Sequence, residues 1–83
     1  MFLLSEFLHQ LPNPHMRDVG FALCSEDWIS FQDVLKRVSH LNEKRVKALI
    51  GRLTRNMSEN GIRFSDVFEK RHSGKILYYR MTM

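Results

Sequence analysis

The sequence predicts a small α+β fold that is mostly helical, and three observations support this prediction. Apolar residues recur at helical spacing through successive stretches before Gly61. Two of these stretches are separated by about three residues, 39–41, and helices joined by so short a turn must cross at a large angle, as in a helix-turn-helix. After Gly61 the pattern changes to two runs of β-forming residues around Ser73 and Gly74, which predicts a C-terminal β-hairpin. A chain of 83 residues has room for one small core.

Residues 1–12 predict a short extra helix at the N-terminus. Its apolar residues cover a wide arc, and they are Phe2, Leu3, Leu4, Phe7, Leu8 and Leu11. Two interpretations are open, since a domain this small has limited means of covering such a helix. In one, the helix packs on the domain's own core. In the other, it contacts a second copy or a protein partner through Phe2, Leu3, Phe7 and Leu8. The prolines at 12 and 14 end this helix, and we expect the main domain to span residues 13–83.

Pro14 and Ser30 mark the starts of the next two predicted helices. Pro14 suits the first turn of a helix over residues 14–25, because its missing N–H would have no partner there. Residues 28–29 predict a very short extended segment. Ser30, followed three residues later by Asp33, resembles a capping box and predicts an N-cap for the helix that leads into the short turn.

Residues 42–57 carry the clearest amphipathic pattern. One face is apolar, with Val46, Leu49, Ile50, Leu53 and Met57 at helical spacing. Asn42 suits the N-cap, because its side chain can accept a hydrogen bond from an otherwise unpaired backbone N–H. The other face is basic with two small residues at its centre: Lys44, Arg45, Lys47, Ala48, Gly51, Arg52 and Arg55. A helical glycine costs on the order of 1 kcal/mol relative to alanine, so Gly51 indicates that another backbone comes close.

The predicted hairpin adds a second basic element. In its second strand, Leu77, Tyr79 and Met81 share one face, which we expect to pack on the helices. The first strand does not alternate cleanly through Ser65 and Asp66, so its register is open and a bulge is one explanation. The region around the turn is basic, with Lys70, Arg71, His72 and Lys75.

Charge is distributed unevenly along the chain. Residues 1–33 contain one basic and five acidic residues, net −4, whereas residues 34–83 contain twelve basic and four acidic residues, net +8. Residues 42–55 contain five basic and one acidic residue, net +4, which equals the charge of the whole chain. Such asymmetry favours a polyanionic partner, and the alternative is a solvated, positively charged helix face.

The sequence offers little that catalysis or a cofactor would need. It contains neither a P-loop nor a dinucleotide fingerprint. Cys24 is the only cysteine and is predicted to be a small core or boundary residue rather than a reactive thiol. The four histidines lie in different predicted elements, so none is expected to pair with a carboxylate or bind a metal. We expect a protein that is not an enzyme, takes no cofactor and has no evident small-molecule ligand.

No run of about 18 apolar residues is present, so no membrane span is expected. The lone cysteine fits a reducing compartment. These features predict a cytoplasmic protein in a bacterial, phage or plasmid setting, or a nuclear protein in a eukaryote.

The order of elements and a set of mostly apolar positions carry a family resemblance. The positions are Val38 and Leu41 before the turn, Val46, Ile50 and Leu53 in the following helix, Gly61 and Ile62, and the closing Tyr79, Arg80, Met81 and Thr82. Over about residues 14–82 the pattern resembles a winged helix-turn-helix domain, and it is similar to bacterial regulators of the multiple-antibiotic-resistance and arsenical-repressor types. The resemblance implies a three-helix core with a β-hairpin wing. Winged helices also serve as protein-docking modules and occasionally bind RNA, so the fold alone does not decide function.

The leading hypothesis is a small sequence-dependent DNA-binding protein that regulates transcription, with residues 42–57 in the major groove of double-stranded DNA. Contacts are expected from Lys44, Arg45, Lys47, Ala48, Gly51, Arg52 and Arg55 on the helix and from Arg71, His72 and Lys75 on the wing. The runner-up is a non-catalytic protein-interaction module of a larger complex, which would use the N-terminal helix and the outer wing face with Ile76 and Tyr78. RNA binding ranks third.

Overall fold

The computed structural model describes residues 4–82, which form a mostly helical α+β domain as predicted. The helices of this part of the chain are α1 (Leu4–His9), α2 (Pro14–Leu23), α3 (Phe31–Arg37), α4 (Glu43–Glu59) and α5 (Phe64–Val67). The strands are β1 (Ile29–Ser30), β2 (Phe68–Ser73) and β3 (Ile76–Met81). Phe2 and Leu3, which were predicted to contact a partner, lie outside the described residues. Between residues 4 and 82, no helix is both long enough and apolar enough to cross a membrane.

Side-chain caps start α2 and α3 close to where the sequence predicts. The Asn13 side chain accepts hydrogen bonds from the backbone nitrogens of His15 and Met16, at 2.9 and 3.2 Å, and Pro14 occupies the first helical turn. The Ser30 hydroxyl accepts from the backbone nitrogen of Asp33 at 3.1 Å. Both caps satisfy backbone donors that a helix leaves unpaired at its start. The helix α2 ends at Leu23 rather than at residue 25.

A short turn connects α3 to α4, and α4 is capped at both ends. The Leu41 nitrogen donates to the Val38 carbonyl oxygen at 2.9 Å within the turn, and the Asn42 side chain accepts from the Arg45 nitrogen at 2.8 Å. Asn42 therefore caps α4 as predicted. At the other end Gly61 has a φ of +75°, and the Ile62 nitrogen donates to the Met57 carbonyl oxygen at 2.9 Å. This bond and the left-handed glycine form a Schellman motif, which ends the helix.

The segment that failed to alternate in the sequence is a helix, so the expectation of an extended strand with a bulge there is wrong. Phe64, Val67 and Phe68 stand at i, i+3 and i+4, which is helical spacing, and α5 places Ser65 and Asp66 in solvent. Val67 and Phe68 are buried, and the Thr82 nitrogen donates to the Val67 carbonyl oxygen at 2.8 Å. The first hairpin strand therefore starts at Phe68.

The sheet has the order β1-β3-β2, with antiparallel pairing throughout. Tyr79 lies at its centre, opposite Ile29 on one side and Lys70 on the other. Tyr79 is buried, and Leu77 and Met81 pack against the core. The predicted inward face of β3 is therefore confirmed. Two residues, Gly74 and Lys75, connect β2 to β3, and Gly74 has a φ of +62°, which suits such a tight hairpin turn.

The helix α1 belongs to the same core as the rest of the described chain. Leu4, Leu8 and Leu11 are all buried, and Leu8 is 0% exposed. An added Cβ at Gly20 of α2 would lie 2.6 Å from Leu8 Cδ2, so the missing side chain lets α1 approach α2 closely. The prediction that Leu8 is an accessible partner contact is therefore wrong. Phe7 is half-buried against the core.

Candidate nucleic-acid interface

The outward face of α4 presents the basic residues that the sequence predicts there. The apolar stripe of α4 packs inward, with Val46, Leu49, Leu53 and Met57 buried, and this fixes which side of the helix meets solvent. Each of the predicted contact residues on the other side is exposed: Lys44, Arg45, Lys47, Ala48, Gly51, Arg52 and Arg55. The structure therefore brings the whole predicted helix set onto one accessible surface, the α4 basic face.

Most cations on the α4 basic face have no acidic partner. Lys47 Nζ lies 3.8 Å from Glu43 Oε2, one turn away, and 5.8 Å from the centre of the Phe31 ring. Within residues 4–82 no ion pair involves Lys44, Arg45, Arg52 or Arg55. Both groups of the Lys47 pair are more than half exposed, so the pair contributes little to stability and can open at low cost.

The centre of the α4 basic face is open. A Cβ built on Gly51 would have no heavy atom within 4 Å, apart from its immediate surroundings in the helix. No backbone from elsewhere in the described chain therefore explains this glycine. Ala48, one turn earlier, is also exposed. The two small residues leave a shallow strip between the long basic side chains.

The hairpin turn lies beside α4. A groove of about 410 Å³ separates α4 from β3, and Lys47 and Lys75 both line it. Glu43 lines the same groove, and so do the apolar residues Phe31, Ile50, Ile76, Leu77 and Tyr79. Ile76 is opposite Ser73 in the hairpin, so its side chain, 47% exposed, lies on the outer side of the sheet with Tyr78. The fold thus joins the basic helix and the basic turn into one concave surface.

Arg71 does not belong to this surface, and this corrects its grouping with His72 and Lys75. Residues directly opposite in an antiparallel pair lie on the same side of the sheet. Arg71 is opposite Tyr78, on the outer side, and its guanidinium carbon lies 5.6 Å from the centre of the Trp28 ring. His72 is opposite Leu77, on the side that faces the helices.

Lys70 joins His72 on the helix-facing side, because it is opposite the buried Tyr79. It is exposed and adds a cation that the sequence-based set of contacts omits. The sequence contains the information needed to place Lys70, because the turn at Gly74 fixes which residues of the two hairpin strands lie opposite each other. The unrecognised helix α5 obscured where β2 begins.

The outer side of the sheet holds an aromatic and arginine cluster that the sequence does not reveal. The Arg80 guanidinium carbon lies 4.6 Å from the centre of the Trp28 ring, and Arg80 Nη2 lies 2.6 Å from Glu69 Oε2. Tyr78, Trp28 and Arg71 also line a small depression on this side. We call Trp28, Glu69, Arg71, Tyr78 and Arg80 the outer cluster. Its cations are engaged with a ring or a carboxylate, unlike Lys44, Arg45, Arg52 and Arg55 of the α4 basic face.

A second unpredicted cluster joins α2 to the turn before α4. His40 Nε2 lies 3.2 Å from Asp18 Oδ2, and the ring centres of His15 and His40 are 5.7 Å apart. The expectation that no histidine pairs with a carboxylate is therefore wrong. The sequence separation of 22 residues between Asp18 and His40 hides this contact, which only the packing of α2 against the turn creates.

Cys24 lies at the boundary of the core. Its thiol donates to the Gly20 carbonyl oxygen at 3.4 Å, and burial raises the pKa of the thiol. Burial therefore disfavours the thiolate, which is the reactive form.

No protein-family model, curated protein or solved structure matches this chain. The resemblance to winged helix-turn-helix domains accordingly rests on the residue pattern and the order of elements alone.

Proposed function

We propose that this chain is a DNA-binding protein of the winged helix-turn-helix type, in which α3 and α4 form the helix-turn-helix, β2 and β3 form the wing, and α4 enters the major groove. The observation that carries the proposal is the α4 basic face, where cations without acidic partners surround an open strip at Ala48 and Gly51. An α-helix with its side chains is about 10–12 Å across, which matches the major groove of about 12 Å.

The length of the basic face suits a short DNA site. Lys44 and Arg55 are eleven positions apart in α4, so they are separated by about 16 Å along the helix axis. This corresponds to about five base pairs at 3.4 Å each. In this arrangement Lys44, Arg45 and Arg55 reach base edges or phosphates, and the more lateral Arg52 reaches phosphate. The small residues Ala48 and Gly51 let the helix backbone approach the base edges.

The wing extends the contact along the phosphate backbone. Lys75 in the turn and Lys47 on α4 line one groove, so a phosphate above that groove is attracted by both. Lys70 and His72 lie on the helix-facing side of the wing and complete the basic surface. Arg71 belongs to the outer cluster, and we do not include it among the DNA contacts.

The test is fluorescence anisotropy with random duplex DNA across a salt series. We compare the wild type with the Lys44→Ala/Arg55→Ala double variant. The matched control is Arg63→Ala/Arg71→Ala, which removes the same charge from exposed positions outside the α4 basic face. Each lost phosphate contact makes the slope of log K against log salt shallower by about 0.9. We expect the slope of the α4 variant to be shallower by up to about 1.8 units and that of the control to stay near the wild-type value.

Two results contradict DNA binding through α4. Absence of wild-type binding at low salt removes DNA as the partner. Equal losses in the α4 variant and the control show attraction by net charge without a defined face.

A second candidate function is a protein-interaction module, and the outer cluster is the observation that favours it. Trp, Tyr and Arg are the residues most enriched among energetically dominant contacts in protein interfaces, and Trp28, Tyr78 and Arg71 meet on the outer side of the sheet. The burial of Leu8 removes part of the N-terminal surface that this function was expected to use. If the wild type does not bind duplex DNA at low salt, this function becomes the leading one.

A further inference from the structure

We propose that His15, Asp18 and His40 form a binding site for a divalent transition-metal ion of the Zn²⁺ class. One ligand atom from each residue lies within 4.8 Å of the other two. His15 and Asp18 come from α2, and His40 comes from the turn between α3 and α4. This proposal does not depend on DNA binding, and a separate measurement tests it.

Helix geometry explains why the two α2 ligands converge. His15 and Asp18 are three positions apart, so their side chains lie on the same face of the helix. The packing of α2 beside the turn then brings His40 to this face, with Nε2 at 3.2 Å from Asp18 Oδ2. Three ligands from two separate elements thus meet at one point on the surface.

The distances need little adjustment to hold a metal. With bond lengths of about 2.0–2.2 Å, tetrahedral Zn²⁺ separates its ligand atoms by about 3.4 Å. The His40–Asp18 pair is already at 3.2 Å. The widest pair must close by at most about 1.4 Å from the 4.8 Å limit. Asp18 and His40 are each about half exposed, so their side chains have room to turn.

The donor set selects the class of metal. Two imidazoles and one carboxylate suit Zn²⁺ and its neighbours among the late transition metals, whereas Mg²⁺ and Ca²⁺ prefer oxygen ligands throughout. Three protein ligands leave a fourth position for water or for a group from a partner.

His15 supplies an independent observation. Its Nδ1 is buried and has no hydrogen-bond partner in the described structure. Buried polar atoms are nearly always paired, so an unpaired ring nitrogen beside two other ligand groups requires an explanation. A cation coordinated through Nδ1 would supply the partner that this nitrogen lacks.

Arg37 carries a positive charge that opposes cation binding at this site. It lines the same surface groove as Asp18 and His40, and its Nη1 donates to the Ala22 carbonyl oxygen at 3.0 Å. That bond directs the guanidinium to the end of α2. The Asp18 carboxylate also offsets part of the added positive charge, so Arg37 lowers metal affinity without blocking the site.

Metal binding here would fasten α2 to the turn that precedes α4. His40 lies two residues before the N-cap Asn42, so the metal would hold the start of α4 against the body of the domain. Any ligand that binds only the folded state shifts the folding equilibrium towards it.

The experiment titrates the full, tag-free chain with ZnCl₂ by isothermal calorimetry and follows thermal unfolding in parallel. We expect one Zn²⁺ per chain and a rise in Tm, with no rise for MgCl₂ at the same concentration. His15→Gln and His40→Gln should each weaken Zn²⁺ binding at least tenfold. His72→Gln, the same change at an exposed position of the hairpin, is the matched control and should change affinity less than twofold.

A second measurement needs no variant. In NMR spectra of the wild type, sub-stoichiometric Zn²⁺ should shift the ring signals of His15 and His40 and leave those of His9 and His72 in place. The proposal is overturned if the wild type binds no Zn²⁺, if all four histidines shift together, or if both glutamine variants retain wild-type affinity. In each case the contact between His40 and Asp18 is only a hydrogen bond at the surface.

Discussion

Gly20 and Gly51 both lie inside helices, yet their surroundings are opposite. A Cβ at Gly51 meets open space, whereas a Cβ at Gly20 meets Leu8 Cδ2 at 2.6 Å. Neither glycine has a positive φ, so alanine fits the backbone at both positions. Substitution by alanine at Gly51 therefore measures the intrinsic cost of a helical glycine, and substitution at Gly20 adds the effect of the packing that the glycine permits.

We expect Gly51→Ala to raise the free energy of unfolding by about 0.5–1 kcal/mol, because alanine is the better helix former and nothing opposes it. Gly20→Ala gains the same propensity, but the displaced Leu8 side chain costs about 1–3 kcal/mol of overpacking. Urea unfolding followed by circular dichroism measures both changes. If Gly20→Ala stabilises the protein as much as Gly51→Ala does, α1 does not pack on Gly20 as described.

Residue-level prediction from sequence succeeds where the cause is local. The Asn42 and Ser30 caps follow from one side chain and a backbone nitrogen three positions on, so the sequence alone predicts them. The His40–Asp18 contact depends on the packing of elements distant in sequence, and no local sequence pattern predicts it. The same reason hides the outer cluster around Trp28, which is assembled by strand register.

At the scale of elements, α1 was the most ambiguous. Its apolar arc fitted either a docking helix or a part of the core, because the sequence does not say what a short helix packs against. The structure buries Leu4, Leu8 and Leu11 with residues of α2 and α4 in one cluster. The element therefore contributes to the stability of the domain through its own contacts.

We expect Leu8→Ala to lower the free energy of unfolding by about 2–5 kcal/mol, since it leaves a cavity at a fully buried position. Ser5→Ala, at an exposed position of the same helix, should change it by less than about 0.5 kcal/mol. Equilibrium unfolding in urea gives both values. If Leu8→Ala lowers the free energy of unfolding by less than about 1 kcal/mol, α1 detaches easily from the core. That result would favour the interpretation of α1 as a docking helix.

The helix α5 shows how an element escapes prediction. Its four residues, Phe64–Val67, are too few for a periodic pattern to stand out beside the β-forming residues that follow. The irregular alternation at Ser65 and Asp66 was the visible sign, and it allowed more than one interpretation. The sides taken by the basic residues of β2 depend instead on the register at the Gly74 turn, which pairs Lys70 with Tyr79 and Arg71 with Tyr78.

At the scale of the whole molecule, the fold brings the basic face of α4 and part of the basic wing to one concave surface. The outward face of α4 and the helix-facing side of the wing meet at a groove that Lys47 and Lys75 both line. Arg71 and Arg80 lie on the outer side of the sheet, engaged with Trp28. The net charge of the chain therefore does not show the difference in available positive charge between its two sides. This difference, rather than the net charge, is what the salt titration with its matched control measures.

Two groups, the partly buried Cys24 and the buried Tyr79, make the stability of the whole molecule decrease as the pH becomes alkaline. Burial raises the pKa of Cys24 and of Tyr79, so folding favours their neutral forms. Their contribution to stability is complete below the pKa values of the unfolded chain and is lost as the pH rises through the higher values of the folded chain. The free energy of unfolding should thus fall as the pH rises above about 8.5, first through Cys24 and then through Tyr79.

The measurement is urea unfolding at intervals from neutral pH to about pH 10.5, a range that spans the ordinary pKa values of both groups. The Cys24→Ala/Tyr79→Phe variant should lose less stability over this range than the wild type. Titration of the remaining groups is common to both proteins and cancels in the comparison. Parallel loss of stability in the two proteins would show that neither buried group is responsible. A flatter profile in the variant would show that the burial of Cys24 and Tyr79 contributes to the loss of stability at alkaline pH.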